Sequence, residues 1–308
     1  MSLFLEIWKG FKMKDLIIMY HYVMEPESWK GSVPISPSEF RKQVEWAKEH
    51  YEIIKPEDMH VHTTKPKCIL SFDDATKDQY TNAFQILKEL GVPGYFTVMS
   101  GPVIERKVPI FHLVHTVLSH FSDEEIWGEV SNQVNIDEIK NNSNIYSYET
   151  NEYRRFVKYL FNFYWSEERS RAFLEEKVIS IYTSLDMFID KFYLSEKEIL
   201  EMDACGMSIG VHCVNHLPYG GSAQDFYDKE IKACKSYLEK ILNKEMKLYT
   251  PAFGGGEQSI QMQKELLPIL QEKGFILGFT TEKGRTELRE GFWHKRIDCN
   301  QLTINEVF

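Results

Sequence analysis

The chain has 308 residues, 43% hydrophobic and 27% charged, a balance that fits a globular protein with a large core and excludes a disordered or fibrous one. Its 46 acidic side chains outnumber 36 basic ones, and the net charge of −10 argues against nucleic acid or an anionic membrane surface as the main partner, since both select clustered Lys and Arg. Five scattered cysteines, Cys68, Cys205, Cys213, Cys234 and Cys299, form no CxxC pair, which suits a reducing compartment better than a disulfide framework.

The first 13 residues read as a short amphipathic lead, interrupted by Glu6, Lys9 and Lys12, with no small-residue cleavage site after it. No apolar run approaches the roughly 18–20 residues of a membrane span. Together with the cysteines, this predicts a cytoplasmic protein. Leu16 to Tyr22 is an apolar, β-rich run that predicts a buried strand. Ser36 followed by Pro37 and Glu39 predicts a capped helix running to about His50. Short strands follow at Tyr51–Ile54 and Cys68–Phe72, then a helix over Gln79–Leu90 that stops at Gly91, then a strand over Tyr95–Met99. This alternation predicts a parallel sheet or barrel.

From about 102 to 193 the rhythm breaks. Phe111–Phe121, Tyr153–Trp165 and Arg171–Tyr182 show helical spacing, and Lys140–Asn144 reads as a loop. The segment is expected to be a helical insertion or lid in a single domain spanning 1–308. Strand and helix then resume. A capping box at Ser195–Glu198 opens a helix, Met207–Val211 is a strand, Phe226–Leu242 and Ser259–Lys273 are helices, and Phe275–Thr280 and Phe292–Ile297 are strands.

Chemistry-bearing residues gather at the C-terminal ends of these strands, where α/β barrels place catalytic groups. Asp73 and Asp74 end one strand, and two carboxylates there can divide labour, one holding a cation and the other a proton. Taken alone, the pair is equally a solvated turn. His212 and His216 stand at i and i+4, a spacing that on a helical turn puts both on one face to grip a metal; alone, they are as readily two unrelated polar residues. With one carboxylate they make a set suited to Zn²⁺ or another divalent ion that activates water. The Pro- and Gly-rich run Tyr249–Gly254 can present a backbone N–H to an oxyanion, or simply be a tight turn. His112, His115 and His120 lie in a predicted helix with no nearby carboxylate pattern and read as partly buried or surface residues, and His60 and His62 read as loop residues.

In this order the motifs resemble the polysaccharide deacetylase family, carbohydrate esterase family four. Ser71-Phe72-Asp73-Asp74-Ala75 resembles T-F-D-D-G, His212-Cys213-Val214-Asn215-His216 resembles H-S/T-x-x-H, Thr250-Pro251-Ala252-Phe253-Gly254 resembles R-x-P-Y-G, and Met19-Tyr20-His21 resembles a Y-H element on the first strand. The resemblance implies a distorted (β/α) barrel of about seven strands. It implies a metal-dependent hydrolase of carbon–nitrogen bonds that removes N-acetyl groups from a sugar or glycan precursor. Asp74, His212 and His216 would hold the divalent metal, Zn²⁺ as first choice. Asp73 would take a proton from water. The N–H of Phe253, after Pro251, would face the oxyanion, and His21 the substrate.

The sequence departs from the pattern at three points. Thr250 replaces the arginine that orients the base, and Arg296 on another strand is the expected substitute. Ala75 replaces glycine. The late L-x-H motif is absent, and His294 is the stand-in for its proton donor. These departures leave two alternatives: a weakened or inactive glycan-binding protein, or a deacylase or amidase acting on a non-sugar substrate. The missing export signature points toward a small, lipid-linked or nucleotide-linked sugar precursor rather than a cell-wall polymer.

Overall fold

The computed structural model describes residues 14–253, 256–285 and 291–302. The predicted lead over 1–13, and Gly254 and Gly255 in the third motif, lie outside them. Eight strands are named in chain order: β1 Leu16–Tyr20, β2 Glu52–Ile53, β3 Lys67–Phe72, β4 Tyr95–Met99, β5 Ser208–Cys213, β6 Leu248–Tyr249, β7 Leu277–Lys283 and β8 Trp293–Asp298. All pairings between them are parallel, in the order β1-β8-β7-β6-β5-β4-β3, and β1 closes the ring by pairing with β3 from Leu16↔Cys68 to Tyr20↔Phe72. This is a closed seven-stranded (β/α) barrel, as expected. The short β2 lies outside the ring, alongside the start of β3 (Glu52↔Lys67), while β4 pairs with its end (Phe72↔Phe96).

A parallel barrel covers both faces of its strands, so β1 is buried at every position. Leu16, Ile18 and Tyr20 pack outward with Phe40, Val44 and Ala47 of the helix Pro37–His50. Ile17 turns inward with Ile69, Tyr95, Leu248 and Phe279, the apolar plug of the barrel interior. The helix Pro37–His50 starts where its cap predicts, with Ser36 Oγ accepting the Glu39 N–H at 3.2 Å. The helix over 79–90 opens with a π-helical turn, Gln79–Phe84, and ends at Gly91, whose φ of 65° is the left-handed cap that glycine adopts at little cost.

Between β4 and β5 the chain forms the helices Ile110–His120, Asp123–Val130, Ile136–Asn142, Glu152–Tyr159, Glu167–Tyr182 and Leu185–Phe192. Their buried residues make a second core, which takes in Met99 at the end of β4 and Cys213 at the end of β5, so the insertion sits on the C-terminal mouth of the barrel. Cys213 packs rather than pointing at the site. The predicted loop at Lys140–Asn144 is instead the end of a helix and a 3-10 turn. Asn135 caps that helix through the Glu138 N–H, and Asn142 bonds back to the Glu138 carbonyl, so the asparagines start and end a helix rather than breaking one.

Candidate metal centre

β3 and β5 end on either side of β4, and each brings a metal-ligand candidate to the mouth. Asp74 follows β3 with φ 77°, and Ala75 follows it with φ 54°. Alanine therefore keeps the left-handed turn that glycine would take freely, at a cost of roughly 1–2 kcal/mol. His212 is the penultimate residue of β5. His216 lies beyond it in a loop rather than on a helix, with φ 59°, which corrects the expected helical face. Two contacts shape that loop. The buried Glu230 carboxylate accepts the N–H groups of Asn215 (3.1 Å) and Leu217 (3.2 Å). Gly101, after β4, donates to the Val214 carbonyl at 2.9 Å, and a Cβ at Gly101 would lie 2.4 Å from that oxygen, so the approach requires glycine.

The outcome is a compact donor set. Asp74 Oδ1 lies 3.2 Å from His212 Nε2 and 3.6 Å from His216 Nε2. One ligand atom from each of the three residues falls within 4.8 Å of the others. His212 Nδ1 donates to the Thr250 carbonyl at 2.7 Å, which leaves the lone pair on Nε2. Burial pushes the His216 imidazole down to about 3, so it is neutral, the form that ligates. Asp74 Oδ1 and His212 Nε2 are buried without a hydrogen-bond partner, a costly state that a cation between them would relieve. The residues present fit a divalent metal.

Asp73 is buried beside this set. Arg296, reaching up from β8, grips it with both terminal nitrogens, Nη1 to Oδ1 and Nη2 to Oδ2, each at 2.8 Å. The guanidinium is fixed in turn by the Thr280 carbonyl (2.9 Å) and Ser71 Oγ (3.2 Å). Burial would raise the Asp73 carboxyl, but the Arg296 charge and hydrogen bonds, with His212 and His21, hold it below its ordinary value. Arg296, on a different strand from Thr250, is thus the guanidinium in contact with Asp73. Thr250 is buried against the Tyr95 hydroxyl at 3.1 Å.

The remaining expected site residues divide. His21 follows β1, with Nε2 3.9 Å from Asp73 Oδ2 and a side chain 38% exposed. Pro251 is buried behind the loop, and Phe253, 49% exposed, stands edge-on to His216 at 4.8 Å. His294 does not reach the mouth, which corrects its expected role as proton donor. It precedes Arg296 by two residues, one inward layer of about 6.5 Å deeper, and its ring meets Phe279 of the apolar plug.

One residue was passed over. His112 is fully buried, with Nε2 3.5 Å from Asp74 Oδ2. The available signal was a polar residue inside an apolar helical run, Leu113, Val114, Val117 and Leu118, where burial demands a partner. His115 is also near, its Nδ1 3.0 Å from the Tyr22 hydroxyl, while His60 and His62 are exposed as expected.

Residues 167–275 match the family model for polysaccharide deacetylase, a span that includes His212, His216 and Phe253 and begins after the Asp pair. Among solved structures, the chain is similar to the Streptococcus pyogenes deacetylase PplD in complex with acetate, with TM-score 0.55 and 20% identity over 94% of this chain and 93% of that one. It is similar to IcaB from Ammonifex degensii, with TM-score 0.55 and 16% identity over 95% and 93%. It is also similar to a de-N-acetylase from Aggregatibacter actinomycetemcomitans, with TM-score 0.53 and 12% identity over 96% and 98%. At these identities the likeness is one of fold. No curated protein sequence matches the chain. The match over 167–275 and the shared barrel agree with the order of the motifs read from the sequence.

Proposed function

We propose that this protein hydrolyses the N-acetyl group of a sugar or glycan precursor in a metal-dependent reaction. The observation that carries the reading is a buried carboxylate, clamped in both oxygens by Arg296, directly beside a two-His, one-carboxylate set at the mouth of the barrel. Asp74, His212 and His216 would hold a divalent ion, Zn²⁺ by the preference of two imidazoles and one carboxylate in a site with open positions. Such an ion supplies Lewis acidity, polarising an amide carbonyl and making water nucleophilic at neutral pH.

This chain's own residues would do the rest. Asp73, kept ionised and oriented by Arg296, accepts a proton from the attacking water. The backbone N–H of Phe253 faces the oxygen that gains charge. His294 is buried against Phe279, so the half-exposed His21, 3.9 Å from Asp73, would protonate the leaving amine, giving acetate and a free amino sugar. The unpaired cysteines support action in a reducing, cytoplasmic setting, and hence a small, lipid-linked or nucleotide-linked precursor as substrate. No helix among the described residues is long and apolar enough to cross a membrane.

The test is acetate release from a panel of N-acetylated sugars, nucleotide sugars and non-sugar amides. Asp73→Asn is expected to cut kcat by about 10²–10⁴-fold with bound metal unchanged. A wild-type protein that holds metal but releases no acetate across the panel would leave the weakened-binder alternative standing. Release confined to non-sugar amides would favour the amidase reading.

A further inference from the structure

Two parts of the insertion, far apart in sequence, meet at Asp74. The first is His112 on the helix Ile110–His120. Its ring is enclosed by Phe192, Tyr193 and Tyr22, with centroids at 5.0, 5.4 and 6.0 Å. An imidazole in so apolar a place is costly unless both nitrogens are engaged. Nδ1 meets the Tyr193 hydroxyl at 2.6 Å. Nε2 is buried without a hydrogen-bond partner, and the nearest acceptor facing it is Asp74 Oδ2 at 3.5 Å. This is the carboxylate oxygen opposite the one that His212 and His216 approach. Because a carboxylate oxygen only accepts, the tautomer that suits both neighbours carries its proton on Nε2 and takes the Tyr193 O–H at Nδ1.

The second part is the strand-like end of the insertion at Tyr193 and Leu194. Tyr193 forms a bridge with Thr76, and the Leu194 N–H donates to the Ala75 carbonyl at 2.9 Å. These contacts hold the backbone of the left-handed turn that carries Asp74. The insertion therefore holds the backbone of the turn and places an imidazole against its carboxylate.

We propose that His112, backed by Tyr193, is a positioning residue for the metal-binding carboxylate: its Nε2–H holds Asp74 Oδ2 so that Oδ1 faces His212 and His216. It is not a fourth ligand, because its nitrogen lies outside the compact group formed by the other three residues. The proposal rests on the metal-centre reading above and adds a role for the insertion, which completes the site as well as covering it.

The experiment measures Co²⁺ affinity by chelator competition, with the visible absorption of Co²⁺ as a report on coordination, in wild type, His112→Ala, Tyr193→Phe, the double variant and His212→Ala. His112→Ala is expected to weaken binding by about 10–100-fold with the absorption band retained. Tyr193→Phe is expected to weaken it by about 3–10-fold, the equivalent of one hydrogen bond. The double variant should bind no more weakly than His112→Ala, since Tyr193 acts through His112. Unchanged affinity in both single variants would overturn the proposal alone. Loss of the band in His112→Ala, as in His212→Ala, would make His112 a ligand and also overturn it. Wild-type protein that takes up no Co²⁺ would overturn the metal centre and the proposal with it. Should His112→Ala fail to fold, Tyr193→Phe, which removes one hydroxyl, decides.

Discussion

At the scale of the residue, the proposed base and the charge that grips it come from strands on either side of β1. Asp73 follows β3 and Arg296 sits on β8, and both strands pair with β1. A planar guanidinium matches a carboxylate in two parallel hydrogen bonds, which fixes the direction of the Asp73 lone pairs as well as their charge. In Arg296→Met the burial of Asp73 loses its main opposition, so its pKa rises. Because the base works ionised, the acid limb of kcat/KM moves to higher pH, and kcat falls by about 10²-fold or more at neutral pH. Arg296→Lys keeps the charge but not the fork and should fall between. A pH–rate profile with an unmoved acid limb in Arg296→Met would contradict this role. The Asp and His motifs were legible because each is local in sequence. Arg296 was legible only through the vacancy at Thr250, and His294 was misplaced because strand alternation gives the direction of a side chain but not its depth in a barrel. His112 carried no local ligand pattern at all: its partner lies 38 positions earlier, and only the fold brings them together.

At the scale of the element, turns rather than strands tune the site. The strand centres followed from apolar runs, but the π-helical turns Gln79–Phe84, Leu160–Tyr164 and Tyr227–Ile231 share their residue pattern with α-helix and were not separable from it. The histidine spacing was read as helical because i, i+4 is a helix face. Glu230 and Gly101 instead fold that segment as a loop. The turn after Asp74 has a further tie: Asp78, fully buried, accepts the Val23 N–H at 2.6 Å and so fastens this turn to the chain leaving β1. Burial, offset in part by hydrogen bonds from Thr76 and Val23, pushes its carboxyl up to about 6. A carboxyl raised in the folded state contributes stability below its unfolded pKa, and that contribution is lost as pH rises through about 6. Asp78→Asn keeps an oxygen for the Val23 N–H without the buried charge. In chelator-treated protein it should be more stable than wild type at pH 8, by on the order of 1–3 kcal/mol, and about equal at pH 4. Urea unfolding at the two pH values measures this, and equal stabilities at pH 8 would show that the carboxylate is not strained there.

At the scale of the whole molecule, the two cores meet where the chemistry is. The barrel's own packing is legible from strand periodicity, and the insertion's core from its helical spacing. Their junction through Met99, Cys213, Tyr22 and the Asp74 turn is not legible, because it joins residues far apart in the sequence. A cation at Asp74, His212 and His216 would tie the end of β3, the end of β5 and the loop after β5 together, and through His112 it would also tie them to the insertion. An ion that binds only the folded chain stabilises it by mass action, by about 4 kcal/mol when its free concentration is a thousand times the dissociation constant. For a chain of this size that corresponds to a melting temperature lowered by roughly 5–10 °C on chelation and restored on adding Zn²⁺. His212→Ala should melt at the same temperature with and without chelator, since its site is already broken. A chelator effect that persists in His212→Ala would place the stabilising ion elsewhere. Far-UV circular dichroism, dominated by the helices of barrel and insertion, and near-UV circular dichroism, from the packed aromatic side chains, should report the wild-type shift together, because the site joins the two cores.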